Sequence, residues 1–231
     1  MIVTPAFHIA RFAREAAESV SPGALVLDAG AGDSPYRHFF KHVVYEGADI
    51  CARDARKYPH VKYQCDLSRI PVPSERYDLV LCTQVLEHVP NPISVLVELH
   101  RVLKQNGRLW ISAPLYFQEH ETPFDYFRYT QYGWRAMLSA AGFEVERIEW
   151  AQGYLGTVAY QMNLARHCLP KNASDFGGGI AGIASVILVN AVRPIFTIMA
   201  WWLNRMDRRY RYTGAGHCLD YCVVANKRPD K

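Results

Sequence analysis

A chain of 231 residues that is 50% hydrophobic and 21% charged can bury one sizeable core, which excludes a disordered or fibrous protein. Its formal net charge of +4 is too small to argue by itself for a nucleic-acid partner. Six cysteines with no Cys-x-x-Cys pair and no zinc spacing exclude a disulfide scaffold and a structural zinc site, and no metal site is expected. The N-terminus carries Arg11, Arg14, Glu15 and Glu18 where a secretory signal would be apolar, so a cytoplasmic chain with buried, reduced thiols is expected.

In chain order, Thr4-Pro5 is a helix start, with Thr4 as N-cap and Pro5 at the first helical position, and the helix runs to about Ser19. A first strand over 24–28 enters the glycine turn Asp28-Ala-Gly-Ala-Gly32. A short helix over 36–41 and a second strand over 43–50 follow, then a short third strand over 61–65 and an apolar fourth over 77–82, buried on both faces. Asn91-Pro92 caps a helix to about Lys104, with Val95, Leu96, Leu99, Val102 and Leu103 at helical spacing. Asn106-Gly107 ends it, and a fifth strand covers 108–113. Thr130 caps another helix that ends at Gly142, and 143–150 forms the next strand. Strands alternating with helices predict a parallel sheet with right-handed crossovers.

The glycine turn is the centre of this pattern. Only glycine removes the Cβ that would block a ligand approaching the backbone, although an ordinary strand-to-helix turn has the same look. A dinucleotide fingerprint needs a third glycine three residues after the second, and here that position is Pro35. Asp28 at the strand end repels a pyrophosphate and attracts a cation. S-adenosylmethionine carries an ammonium and a sulfonium and no phosphate. Asp49 ends the second strand about twenty residues after the turn, where nucleotide-binding folds place the carboxylate that holds ribose hydroxyls.

Together, Val26-Leu-Asp-Ala-Gly-Ala-Gly32, Asp49 and Asp66, Tyr77-Asp-Leu-Val-Leu-Cys-Thr-Gln-Val-Leu-Glu-His-Val89 and the Leu-Lys-Gln-Asn-Gly-Arg-Leu run from Leu103 resemble the class I S-adenosylmethionine-dependent methyltransferases, in particular the small-molecule branch with the Leu-Glu-His-Val signature. The resemblance covers 24–150 and resumes at 221–226. It implies an α/β fold: a Rossmann-like seven-stranded, mostly parallel sheet with helices on both faces. The expected organisation is a single domain over 1–231 with a helical apolar insertion, 151–216, between the last two strands.

The resemblance also implies roles. Gly30 and Gly32, with Ala29 between strand and turn, let the loop pass the methionine part and ribose of the cofactor, and Asp28 supports its ammonium end. Asp49, with Ile50 beside it, accepts hydrogen bonds from the ribose hydroxyls. Asp66 accepts from the adenine amino group while Cys65 and Leu67 sandwich the ring. Thr83 and Gln84 line the methionine side. His88 either contacts the ligand or pins Glu87 and its loop. The Asn/Asp-Pro-Pro-aromatic loop of many enzymes that methylate base amines is replaced here by Thr83-Gln84-Val85-Leu86, which disfavours that reaction.

The acceptor side is expected from 115–134, in which eight of twenty residues are aromatic and Glu119, His120, Glu121, Asp125 and Arg128 are interleaved. Loops at the carboxyl ends of strands line the ligand crevice of an open α/β fold, though an aromatic hinge that packs the sheet end is the alternative. The run resembles the His-Glu-x-Pro-x-Asp-Tyr-x-Arg-Tyr-Thr stretch of bacterial methyltransferases encoded with glycan and secondary-metabolite enzymes. A hydroxyl acceptor must lose its proton. His120, the one histidine in this segment, is the candidate base, with Glu119 and Asp125 as alternatives.

Residues 180–203 are apolar, interrupted by Arg193-Pro194, and end in Trp201-Trp202 and a cluster of Arg205, Arg208, Arg209 and Arg211. Each half falls short of the ~20 residues of a membrane span, and Arg193 at a bilayer centre would cost roughly 2.5–3.5 kcal/mol. A hairpin dipping into one leaflet from the inner face of the membrane, a homodimer interface and a lid are the candidate roles. The expected activity is O-methylation of a sugar, lipid-linked or secondary-metabolite hydroxyl. An RNA or other nucleic-acid methyltransferase using the arginine cluster, a non-catalytic S-adenosylmethionine-binding module and an NAD-dependent oxidoreductase are the other classes, the last disfavoured by Asp28 and Pro35.

Overall fold

The computed structural model describes residues 6–50, 58 and 60–228 of the chain. It forms a seven-stranded sheet from β1 (Leu25–Ala29), β2 (Val44–Asp49), β3 (Val61–Gln64), β4 (Tyr77–Thr83), β5 (Leu103–Pro114), β6 (Phe143–Trp150) and β7 (Asp220–Lys227), in the order β3-β2-β1-β4-β5-β7-β6. The five strands from β3 to β5 pair in parallel, whereas β7 runs antiparallel between β5 and β6.

Helix α1 (Ala6–Glu18) lays Ile9, Phe12, Ala13 and Ala16 on one face of the sheet, where they share a core with Val26, Leu79, Leu81 and Trp110. Strand alternation sends Val80 and Cys82 to the opposite face. Helix α2 (Pro92–Val102), with Val95, Leu96, Leu99 and Val102 buried, packs there against β5, and α3 (Gln131–Ala140) buries Trp134 and Leu138 beside β6. The two predicted caps are present. Asn91 accepts from the Ser94 amide at 3.3 Å and Thr130 from the Gly133 amide at 3.0 Å. The predicted cap at Thr4-Pro5 lies outside the described residues, as does Cys51.

The end of α2 differs from the sequence reading. The helix stops at Val102 rather than near Lys104, and Leu103 already pairs with Tyr77 in the sheet, while Arg108 pairs with Leu79. Asn106-Gly107 therefore belongs to a bulge inside β5, not to a helix terminus. Asn106 takes the left-handed conformation at φ 64°, and a Cβ on Gly107 would sit 2.9 Å from the Lys104 carbonyl oxygen.

The chain divides into two compact units, with the sheet and its helices in one and Gln152–Cys218 in the other. In the second, α4 (Tyr154–Cys168) packs along α5 (Gly179–Tyr210). The sequence reading broke the apolar run at Arg193-Pro194, but α5 continues through it for 32 residues. Arg193 Nη2 donates to the Leu169 and Pro170 carbonyls at 2.8 and 3.2 Å, which takes the guanidinium to the C-terminal end of α4, where a cation is favoured. Gly153 and Gly156 admit the buried Asp207 carboxylate, which accepts from the Gly153 amide at 3.1 Å.

Candidate active site

The sheet order reverses between β1 and β4, and the crevice outside the carboxyl ends at such a point is where open α/β sheets take ligands. A cavity of about 350 Å³ lies there. It brings together Gly30, Gly32, Asp49, Ile50, Asp66, Leu67, Gln84 and His88 from the predicted set, and adds Tyr58, Val85, Val89, Pro90 and Glu121. Asp28, Ala29 and Thr83 are not on its wall. Ala29 is fully buried, Thr83 pairs with Ser112 in the sheet, and Asp28 is buried with its carboxylate accepting from the Tyr45 hydroxyl. A larger hollow of about 540 Å³, lined by Arg37, His38, Lys41 and His60, receives neither Asp49 nor the residues after β4.

Local backbone chemistry builds the wall. Gly30 has φ 81°, and a Cβ there would stand 2.2 Å from a methyl of Val85, so only glycine lets the β1 and β4 loops close on each other. Its amide donates to the Ala48 carbonyl at 2.8 Å, and the Gly32 amide donates to Asp49 Oδ2 at 3.0 Å. Asp49 thus fixes the glycine loop from the end of β2. Asp66 Oδ1 accepts from the Ser68 amide at 2.8 Å, closing the turn after β3. Gln84 is left-handed at φ 56° and donates its amide to the Ser112 carbonyl at 2.9 Å. Such a conformation in a non-glycine residue at a strand end is typical of a functional site, and nothing in the sequence marks it.

Among the described residues, the wall carries three carboxylates, Asp49, Asp66 and Glu121, and no lysine or arginine. A pyrophosphate would be repelled and a ligand bearing an ammonium and a sulfonium attracted. The glycine cradle, the carboxylate at the end of β2 and this charge fit S-adenosylmethionine, and Asp49, Asp66 and Leu67, to which the family resemblance gives the ribose and the adenine, share this wall.

The segment after β5 is tied down beside the cavity. It leaves at Pro114 and returns to it, since the Tyr129 amide donates to the Pro114 carbonyl at 3.0 Å. Tyr129 also donates its hydroxyl to the Leu86 carbonyl at 2.8 Å, the Tyr126 amide donates to the Glu87 carbonyl at 2.7 Å, and His88 Nδ1 lies 2.7 Å from the Phe124 carbonyl oxygen. His88 therefore lines the cavity and also anchors the loop at Phe124. Arg128 grips Asp125 at 2.6 and 2.7 Å and reaches the Phe117 and Gln118 carbonyls, so the guanidinium gathers both limbs of the loop. These bonds hold the Asp125 carboxyl well below the usual carboxylate range, and the His120 amide adds a further one at 2.8 Å.

His120 is off the cavity wall, with its ring 4.7 Å from that of His88 and perpendicular to it. Its Nδ1 stands 3.2 Å from Asp125 Oδ2. Glu87, at 0% exposure, completes the cluster: one ligand-type atom each from Glu87, His88 and His120 lie within 4.8 Å of one another, close enough to share a cation. Beyond His88 Nε2 at 3.9 Å, neither Glu87 oxygen has a hydrogen-bond partner among the described residues.

Burial pushes the Glu87 carboxyl up to about 8 and the Asp28 carboxyl up to about 7, Asp28 being lowered in part by the Tyr45 hydroxyl and raised by Asp49. Their ordinary values are 4.5 and 3.8, so between pH 4 and 8 the folded chain binds more protons than the unfolded one. Stability from these groups is then greatest at the acid end of that window and falls as pH rises through it. Melting curves should show Tm decreasing from about pH 5 to about pH 8, and Glu87→Gln, which keeps the neutral shape, should flatten the decrease. An unchanged slope in that variant would remove Glu87 from the account.

A family model described as a methyltransferase domain matches residues 7–148 of the 231. The chain is similar to a ubiquinone biosynthesis O-methyltransferase of Photobacterium profundum, 29% identical over 106 residues, which cover 39% of this chain and 44% of the relative. It spans less than half the length of the curated relatives it matches. Among solved structures, it is similar to the 1,6-didemethyltoxoflavin-N1-methyltransferase of Burkholderia thailandensis, solved with 1,6-didemethyltoxoflavin and S-adenosylhomocysteine, at TM-score 0.57 and 16% identity over 96% of this chain and 79% of that one. It is also similar to the [4+2]-cyclase SpnF, at TM-score 0.55 and 19% identity over 96% and 81%. These two likenesses show the fold, and the second shows that the fold alone does not choose the reaction. The family match covers more than half of the chain, on the strands that build this acidic crevice, and shows the family: the chain belongs to the class I S-adenosylmethionine-dependent methyltransferases.

Proposed function

We propose that the chain methylates a hydroxyl oxygen of a small molecule, the acceptor being a sugar, a lipid-linked glycan or a secondary metabolite. The observation that carries this reading is the His120–Asp125 pair, held on the loop after β5 and stacked edge-on against His88 of the cavity wall. Similarity to curated O-methyltransferases supports oxygen as the methylated atom. The aromatic side chains of the same loop, with Tyr116, Phe124 and Tyr126 exposed, suit a ring or sugar face.

S-adenosylmethionine, when bound, supplies an electrophilic methyl group on a good leaving group. The protein then has to align the acceptor, exclude water and remove one proton. The Gln118 carbonyl, 3.3 Å from His120 Nδ1, accepts a proton there and so leaves Nε2 as the acceptor for the hydroxyl proton, while Asp125, fixed by Arg128, stands 3.2 Å from Nδ1 and favours the imidazolium that forms. His120 Nε2 would take that proton and later return it to solvent, while the methyl carbon–sulfur bond that breaks would release S-adenosylhomocysteine.

The test is product analysis after incubation with methyl-labelled S-adenosylmethionine and matched acceptors that differ only in bearing a hydroxyl, a carboxyl or an amine. Label in an alkali-stable methyl ether is the expected result. Transfer to the amine or carboxyl acceptor with none to the hydroxyl would overturn the reading.

A further inference from the structure

We propose that α5 docks the chain on an anionic lipid surface and lies in the plane of that surface. Between Ile180 and Trp202, each exposed position of α5 is apolar except Asn190. Ile180, Ala184, Ile187, Ala191, Ile195, Ile198 and Trp202 recur at steps of three and four, so they form one face of a helix rather than scattered contacts. Ile180 is 88% exposed, Leu188 68% and Ile198 66%. At ~1.5 Å per residue this face is roughly 30 Å long, far larger than the apolar patches of ordinary soluble monomers.

The two ends of the face identify its occupant. At the C-terminal end, exposed Trp201 and Trp202 give way to Arg205 and Arg209, which continue the same face, with Arg208 beside them. Indole rings followed by guanidinium groups match the order from acyl chain to anionic headgroup. A second copy of the chain would have to pair those arginines, and the exposed positions of α5 carry no acidic residue.

By length and composition α5 could cross a bilayer, but its other face decides the orientation. That face packs on α4 and on the helical turn Ala173–Phe176 and carries Arg193 and Asp207, while Lys171, Asn172 and Asp175 are exposed at the turn. An upright helix would draw these groups into hydrocarbon, whereas a helix lying flat leaves them in water and buries the apolar face alone.

The full chain should float with phosphatidylglycerol-containing vesicles and less with pure phosphatidylcholine, and the difference between the two should shrink as salt rises. Arg205→Gln/Arg209→Gln should lower partition onto the anionic vesicles by about fivefold for each arginine and change the neutral vesicles little. Ile187→Glu/Ile195→Glu, both at exposed positions, should abolish flotation on either while leaving melting temperature and S-adenosylmethionine affinity as in the wild type. No flotation with either vesicle overturns the proposal. So does a dimer that Ile187→Glu/Ile195→Glu dissociates and vesicles do not, since the face would then be covered by a second copy.

Discussion

His120→Ala should leave S-adenosylmethionine affinity nearly unchanged and lower kcat by roughly 10²-fold or more, the usual contribution of a positioned general base. The site geometry sharpens this expectation. His120 Nδ1 lies 3.3 Å from the Gln118 carbonyl oxygen and 3.2 Å from Asp125 Oδ2, and Asp125 is itself held by two Arg128 bonds. Asp125→Asn should therefore also lower kcat, by removing the charge that stabilises the imidazolium as it forms, with KM for the cofactor little changed. Neither residue lines the cofactor cavity, so a loss of affinity would point to collapse of the loop instead. Wild-type turnover on the true acceptor would remove His120 as base.

Asp49→Ala should weaken S-adenosylmethionine binding by about 1.5–3 kcal/mol, or roughly ten- to a hundredfold, the range for hydrogen bonds to a charged group. Two losses contribute. The carboxylate assigned to the ribose hydroxyls disappears, and so does the acceptor that holds the Gly32 amide at 3.0 Å and shapes the glycine loop. Asp49→Asn keeps an oxygen for that amide and removes only the charge, so it should fall between the two. Calorimetric titration of both variants separates the contributions, and wild-type affinity in the alanine variant would exclude the ribose assignment.

Much of this site is legible in the sequence because the residues that build it have narrow conformational choices. Gly30, with φ 81° and Val85 where a Cβ would stand, had to be glycine, and Asp49 ends β2 at the spacing from the glycine turn that its role requires, whereas Asp66, two residues past the end of β3, is singled out only by the family resemblance. The left-handed Gln84 carries no such mark, because its conformation is imposed by the Ser112 bonds across β5. Tyr58 and Glu121 reach the wall by tertiary placement, which no local pattern encodes.

The same distinction explains the differences in the fold. Asn106-Gly107 is a good helix terminator by composition, yet β5 takes it as a bulge because Leu103 is already paired with Tyr77. Arg193-Pro194 looks like a break, yet α5 runs on, since its carbonyl partners on α4 and the helix packing outweigh the ~3 kcal/mol a proline costs inside a helix. Helix α4 falls inside the helical insertion expected over 151–216, but the sequence sets no bounds for it, since its apolar residues lack a clear helical stripe and its start relies on Gly153 meeting Asp207.

The central claim is that the acidic crevice at the strand ends is a site for S-adenosylmethionine and not for a dinucleotide. Calorimetry of the wild-type chain with S-adenosylmethionine, S-adenosylhomocysteine and NAD, side by side, tests it most directly. One-to-one binding of the two methionine-derived ligands, with no heat from NAD, is the predicted result; saturable NAD binding that S-adenosylmethionine fails to displace would contradict it.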